Sequence, residues 1–238
     1  KNNGFNAIDI LARYRTNRYY VANRDYSDFP NPEPFASGAS AANDPIQETI
    51  DKAHELGMRA YVSWSCFLAV AGSTYPSVLP AGSVTYTYNN TGLPVPQAAT
   101  TEGLWADVGR EDVRAHVRNV LLDFVQNYDI DGVIFDRIRY DATTFGYNPV
   151  ALQEMGYPVN NPYQAGDVIP STSNAAFRDK RRDAVTKFLH DSYEAVTNLK
   201  PWVVVGTVPI AYGDGLNDTY ISVFQMCLTW SSAPMINR

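Results

Sequence analysis

Apolar and polar residues alternate with a period of two in NAIDILARYR, residues 6–15, so Ala7, Asp9, Leu11 and Arg13 share one face of a predicted strand. Ile8, Ile10, Ala12 and Tyr14 share the other. After a proline-rich polar loop the period changes. Asp44 stands before Pro45 as a helix cap with proline at the first helical position, and Ile46, Ile50 and Ala53 recur at helical spacing until Gly57. MRAYVSWSCF, rich in β-branched and aromatic residues, predicts the second strand.

Residues 68–104 are a long Gly, Pro, Thr and Tyr segment in which only SVTYTYN alternates like a short strand; a loop of that length inside a compact domain is often functional. LWADVG then reads as a third strand ending near Asp107. Val113, Val117, Val120, Leu121 and Phe124 make an apolar stripe, which predicts a helix over 111–127 leading directly into a strand at DGVIFD. A second polar connection, 142–173, precedes a long helix carrying Ala184, Val185, Phe188, Leu189, Tyr193 and Val196. The strand WVVVGTV follows from Trp202, and the alternation predicts a helix over Tyr220–Trp230.

Helix and strand in alternation give a parallel sheet covered by helices, either closed as an eight-stranded barrel or open and doubly wound. No glycine-rich phosphate loop follows the first strand, and polar residues cluster after the carboxyl ends of successive strands, where barrel enzymes place their sites. The expected fold is therefore a (β/α)8 TIM-type barrel. Only about five strands can be counted, against the roughly 250 residues usual for eight βα units. The expectation is a single barrel domain over residues 1–238, truncated at both ends, with its later strands missing.

Composition narrows the partners. A net charge of -6 argues against nucleic acid, which needs a basic face, and favours a neutral ligand. No apolar run approaches the roughly 20 residues of a membrane span. Cys66 and Cys227 have no metal-ligand spacing, and His54 in HELG lacks the second histidine of a zinc motif, so neither a metal nor a cofactor is expected.

The segment DIDGVIFDRIRYD, residues 129–141, concentrates the candidate chemistry. In a buried strand Gly132, Ile134 and Asp136 share a face, and Asp136 ends the apolar run, so its carboxylate should emerge at the rim of the barrel interior. The plainer alternative is an ion pair with Arg137, Arg139 or a first-strand arginine that only closes the barrel top. Arg139 and Tyr140 could orient a hydroxylated ligand or stand as ordinary loop residues.

Four passages resemble the bacterial glycosyl-hydrolase-like family 10. GFNAIDILARYRTNRYY is similar to its first strand, and DPIQETIDKAHELGMRAYVSW to its first helix and second strand. WADVGREDVRAHVRNVLLDFVQNYDIDGVIFDRIRYD is similar to its Asp-Pro-Gly, helix and strand block. FRDKRRDAVTKFLHDSYEAVTNLKPWVVVGTVP resembles the arginine-bearing helix and fifth strand. Val108 departs from the proline of that pattern, and Ser65-Cys66 from its usual Asn-Pro. The resemblance implies a barrel, a carbohydrate substrate, an extracellular or cell-envelope location, and glycoside hydrolysis by two carboxyl groups.

On that basis Asp136 would be the nucleophile or charge stabiliser, kept ionised by Arg13 or Arg139, and Asp107 the leading candidate for the second carboxyl group. Asp9, Glu154 and Asp214 are weaker candidates, and capping a helix is the plain alternative for Asp107. Trp64, Trp105, Tyr140 and Tyr212 could stack on a sugar ring, with core packing as the alternative for each. Arg181 or Arg182 could reach the cleft. A barrel that binds sugar without cleaving it, or serves in an envelope assembly, is the competing function. A lyase or isomerase of phosphorylated metabolites finds only GDG, 213–215, in its support.

Overall fold

The computed structural model describes residues 4–20, 33–34, 43–98 and 100–208. β1 (Ala7–Tyr14) is the alternating first segment, and the two-residue β2 (Asn17–Arg18) folds back antiparallel on its end. α1 (Pro45–Glu55) begins at Asp44, whose Oδ1 accepts the N–H groups of Ile46 and Gln47 at 3.1 Å each. β3 (Arg59–Ser65) follows. A long excursion then carries the short strands β4 (Leu68–Val70), β5 (Tyr86–Thr87), β6 (Val95–Pro96) and β7 (Leu104–Trp105).

The chain returns through α2 (Glu111–Asn127) to β8 (Gly132–Asp136). A second excursion contains α3 (Pro149–Glu154), and α4 (Ala175–Leu199) leads to β9 (Val204–Thr207). The main sheet has the order β2-β1-β3-β8-β9, and β1, β3, β8 and β9 run parallel.

Alternation along these strands decides what faces the helices. Val62, Trp64, Val133, Phe135 and Val205 enter one core with Ile50, Val117, Leu121, Phe124 and Phe188 from α1, α2 and α4. Each such apolar side chain contributes about 1.5–3 kcal/mol by leaving water. The opposite face carries Asp9, Leu11, Tyr61, Ser63, Ile134 and Asp136, all at least partly exposed. Gly132 is required at the start of β8: a Cβ there would lie 2.5 Å from the Tyr61 ring and 2.8 Å from the Val204 carbonyl oxygen.

Two expectations change. The described residues form an open, mixed α/β arrangement built on a parallel sheet, and its parallel strands number four where about five were counted. LWADVG is not one of them. β7 is two residues long and pairs antiparallel with β4. Gly103, just before it, takes φ +118° where a Cβ would sit 1.7 Å from the Val70 carbonyl oxygen, so the chain is pressed against β4 instead of joining the sheet. Among the described residues β8 is thus the third parallel strand in chain order, not the fourth. α3, within the connection read as irregular, is set by Asn148 capping the Val150 N–H (3.0 Å) with Pro149 in the first turn. The expected helix at Tyr220–Trp230 lies outside the described residues.

The two excursions pack on each other. The Tyr88 N–H donates to the Thr144 carbonyl (3.0 Å), the Tyr147 N–H to that of Tyr86 (3.3 Å), and the Asn148 side-chain amide to the carbonyls of Gly82 and Val84. They enclose a second, smaller apolar cluster around Tyr147, Leu152 and Phe177.

Candidate active site

Asp136 closes β8 on the face away from the helices, with its side chain about one-third exposed (35%). Its Oδ1 accepts the backbone N–H of Arg137 at 2.8 Å, and its Oδ2 accepts from Arg137 Nη1 at 2.6 Å. For the backbone and guanidinium of one residue to grip the preceding carboxylate, the chain turns left-handed: Arg137 has φ +55°. That conformation costs a non-glycine residue about 1 kcal/mol or more, and such strain tends to gather at functional positions.

The other edge of Arg137 reaches Glu102 Oε1 (3.2 Å), and Arg139 Nη2 reaches Glu102 Oε2 (3.4 Å). Arg139 also pairs with Asp141 (2.8 Å) and lies 4.7 Å over the Trp105 ring. Glu102 is thus delivered to the end of β8 by the first excursion. Its backbone is held on both sides: Arg15 Nη2 donates to the Glu102 carbonyl (3.3 Å), and Gln97 clamps the next turn by donating to the Gly103 carbonyl (3.0 Å) and accepting the Trp105 N–H (2.8 Å). Two carboxylates on one rigid guanidinium fork lie within about 8 Å of each other.

Arg13 is elsewhere. It is buried and forms a two-bond pair with Glu33, Nε to Oε2 at 2.7 Å and Nη2 to Oε1 at 2.6 Å, while its Nη1 donates to the carbonyls of Ser65 and Cys66. His116 on α2 adds a contact to Glu33 Oε1 at 3.1 Å. Burial pushes the Glu33 carboxyl up, but Arg13 and His116 outweigh that and hold it down at about 2. Arg13 therefore ties the ends of β1 and β3 together and does not touch Asp136 in the manner its sequence position suggested.

Asp107 is fully enclosed. Its oxygens accept from the Gly109 N–H (2.9 Å), the Thr85 hydroxyl (3.0 Å) and the Asn148 N–H (3.2 Å); burial pushes its carboxyl up against these three donors. It does not cap α2 either, since the first free N–H of that helix, on Glu111, donates to Glu154 Oε2 (2.8 Å). Asp9 accepts from the Ser63 hydroxyl (2.6 Å) on the Asp136 face, and the sheet register aligns it with Gly132 at the far end of β8.

The aromatic candidates divide from the acids. Trp64, Trp105 and Tyr140 are buried, Trp64 against Tyr20 and Phe124, so none presents a ring face to solvent. Tyr212 and Asp214 lie outside the described residues. Arg181 is buried over Phe177 (4.2 Å), donates to the carbonyls of Thr143 and Phe145, and is lowered by burial to about 10. Arg182 pairs with Asp179. Among the described residues no group of three or more His, Cys, Asp or Glu gathers to hold a metal, and no helix is long and apolar enough to cross a membrane.

Sequence reasoning had passed over Glu33 and Glu102. Each is a lone acid in an irregular segment, Glu33 between two prolines and Glu102 before a glycine, and the length of the first excursion was the only signal near Glu102.

The glycosyl-hydrolase-like family 10 model matches residues 3–238. The chain belongs to that family. Solved structures agree in fold with this family member at low sequence identity. The glycoside hydrolase domain of PgaB (BpsB) from Bordetella bronchiseptica superposes with a TM-score of 0.60 at 14% identity, over 92% of this chain and 60% of that one. α-L-Fucosidase isoenzyme 2 from Paenibacillus thiaminolyticus gives 0.58 at 15%, over 85% and 27%. A hypothetical protein from Ruminiclostridium thermocellum gives 0.54 at 13%, over 86% and 84%. The family 10 chain thus spans about a quarter of the fucosidase and three-fifths of the PgaB domain. No curated protein sequence matches it.

Proposed function

We propose that this chain is the catalytic part of a glycoside hydrolase acting outside the cell or in its envelope on a polysaccharide or oligosaccharide, with Asp136 as one of its two carboxyl groups. Family membership supports the reaction class. The observation that carries the residue assignment is the position of Asp136: a part-exposed carboxylate at the carboxyl end of a central parallel strand, oriented by a strained arginine. In the full reading the four parallel strands are half of a (β/α)8 barrel, and the open sheet face is its interior.

Glycosidic cleavage needs a second carboxyl group at about 5–5.5 Å for retention or 6.5–9.5 Å for inversion. Glu102 is the candidate for that role, because Arg137 contacts both acids and so keeps them close together. Asp136 is the fixed member, held by a backbone N–H and a 2.6 Å guanidinium contact. Glu102, on contacts of 3.2 and 3.4 Å, is the member free to swing toward a leaving oxygen or a water. Asp107, enclosed and fully engaged, is better suited to holding the loops than to meeting a sugar.

A second reading has one observation in its favour: the tight Asp136–Arg137 pair is what a structural ion pair at the sheet end would look like, in a barrel that binds sugar without cleaving it. Incubating the protein, its Asp136→Asn variant and its Glu102→Gln variant with a panel of polysaccharides separates the two. Hydrolysis by the parent that is lost in both variants supports the enzyme. Retention of polysaccharide without release of reducing ends supports the binder. Hydrolysis that survives Asp136→Asn removes Asp136 from the mechanism.

A further inference from the structure

The smaller apolar cluster has an outer surface that a closed core would not need. Tyr147 and Phe177 form its buried centre, with ring centroids 4.8 Å apart. Tyr86, Tyr88, Tyr157 and Tyr163 pack around them while each leaves part of its ring at the surface. Tyr86 comes from the first excursion and Tyr163 from the second, yet their rings meet edge to face at 6.1 Å. Tyr88 lies 5.0 Å from Tyr147.

Rigidity is built in. The Asn90 side chain donates to the Thr172 hydroxyl (3.1 Å) and accepts the Thr172 N–H (3.2 Å), which staples the β5–β6 hairpin to the second excursion. Asn89, Asn90, Thr91 and Gln164, next to Tyr88 and Tyr163 in the chain, are exposed and uncharged, while charge stands at the margins: Lys180 lies 5.9 Å over the Tyr157 ring, Asp167 is near Tyr163 and Arg178 near Tyr147. Val95, on the same hairpin, is 57% exposed.

Part-exposed aromatic rings that are already immobilised bind flat, amphipathic partners at little entropic cost. A pyranose offers such a partner, with apolar C–H faces for the rings and hydroxyl groups for neutral amides and hydroxyls. The groups next to Tyr88 and Tyr163 carry no charge of their own, which favours a neutral ligand over a charged one at that part of the face. Both excursions leave the same end of the sheet as Asp136, and Thr144 and Tyr147 follow Asp136 by few enough residues that the chain between them spans at most about 40 Å. One polymer could cover both places.

We propose that the Tyr86–Tyr88–Tyr163 face is a secondary site for a neutral glycan chain, separate from the Asp136 site and selective for polymers over short oligosaccharides. The inference rests on the carbohydrate reading of the family, but it does not require catalysis.

The test is affinity electrophoresis through gels containing a β-glucan, a xylan, a mannan or a galactan, with four proteins: the parent, Asp136→Asn, Tyr86→Leu/Tyr163→Leu and Tyr86→Phe/Tyr163→Phe. Leucine preserves apolar packing, and unchanged thermal unfolding confirms a folded variant. The leucine pair should bind the retarding polymer about tenfold more weakly, while the phenylalanine pair binds as the parent does and Asp136→Asn still binds more tightly than the leucine pair. If the parent hydrolyses that polymer, the leucine pair should raise KM for the polymer and leave KM and kcat for short oligosaccharides unchanged.

Equal retardation of the leucine pair and the parent overturns the inference, as does loss in the phenylalanine pair equal to that in the leucine pair, or no retardation of the parent by any of the four. Retardation lost in the leucine pair of a protein that hydrolyses nothing upholds the secondary site and sinks the enzyme. Hydrolysis with the leucine pair unaffected does the reverse.

Discussion

Arg13–Glu33 and Arg137–Asp136 are the same chemical pair in two settings. The first is sealed, with both side chains at most 1% exposed. The second leaves the arginine 23% and the aspartate 35% exposed. Sealed charges must be matched completely, and Glu33 is, by two guanidinium bonds and a histidine. Such a pair specifies how β1, β3 and α2 meet and has no spare capacity for a ligand. The open pair keeps lone pairs toward solvent, shares its arginine with Glu102 and accepts a strained backbone to do so. Contact distance does not distinguish the two pairs, 2.6 Å in each; access to solvent does.

The sharpest way to break that contrast is to unpair each cluster. Glu33→Gln should destabilise the fold by about 3–5 kcal/mol, because a buried guanidinium loses its counter-charge. The double change Arg13→Met/Glu33→Leu should recover most of that loss in urea unfolding. Asp136→Asn should leave stability within about 1 kcal/mol of the parent, as expected for a part-exposed pair. It should cost at least about 100-fold in hydrolytic rate if Asp136 acts on the substrate.

Acid titration gives the contrast a sign. The Glu33 carboxyl is depressed in the fold from its ordinary 4.5 to about 2, so its stabilisation is complete above about 4.5 and disappears as pH falls through about 2. Unfolding curves of the parent should steepen across that window, and those of the Arg13→Met/Glu33→Leu variant should flatten. A smaller effect is expected from Arg137→Gly. Glycine accepts φ +55° without strain, so stability should stay within about 1 kcal/mol of the parent. If the two acids act on the substrate, hydrolysis should still fall, since Asp136 and Glu102 lose their common anchor. Smallest of all, Lys52→Ala should change stability by less than about 0.5 kcal/mol, because the Lys52–Glu55 pair is well exposed, with side-chain exposures of 62% and 66%.

Periodicity made the regular elements legible. The stripe from Val113 to Phe124 set α2 over Glu111–Asn127, Asp44-Pro45 set the start of α1, and the abrupt end of VIF at Asp136 set the carboxyl end of β8. The match to family 10 bears out the resemblance drawn from those same blocks. LWADVG misled because two buried apolar residues look alike in a sheet and in a loop, and the close approach of Gly103 to Val70 that decides between them is a contact across the chain. Arg13 and Trp64, each left with a packing or pairing alternative, were undecided for a related reason. Their positions near strand ends were read correctly, but which neighbour each side chain meets depends on Glu33 and Phe124, distant in sequence. Glu102 carried no periodic signal at all.

Asp107 has a consequence for motion. Its carboxylate takes hydrogens from Thr85 in one excursion and Asn148 in the other, as well as from Gly109 at the foot of α2. Neither loop can lift away while that knot holds, so both should open as one cooperative unit, with the amide protons of Asn148 and Gly109 exchanging at a common rate. A sugar that steadies one edge of this wall would then steady the other.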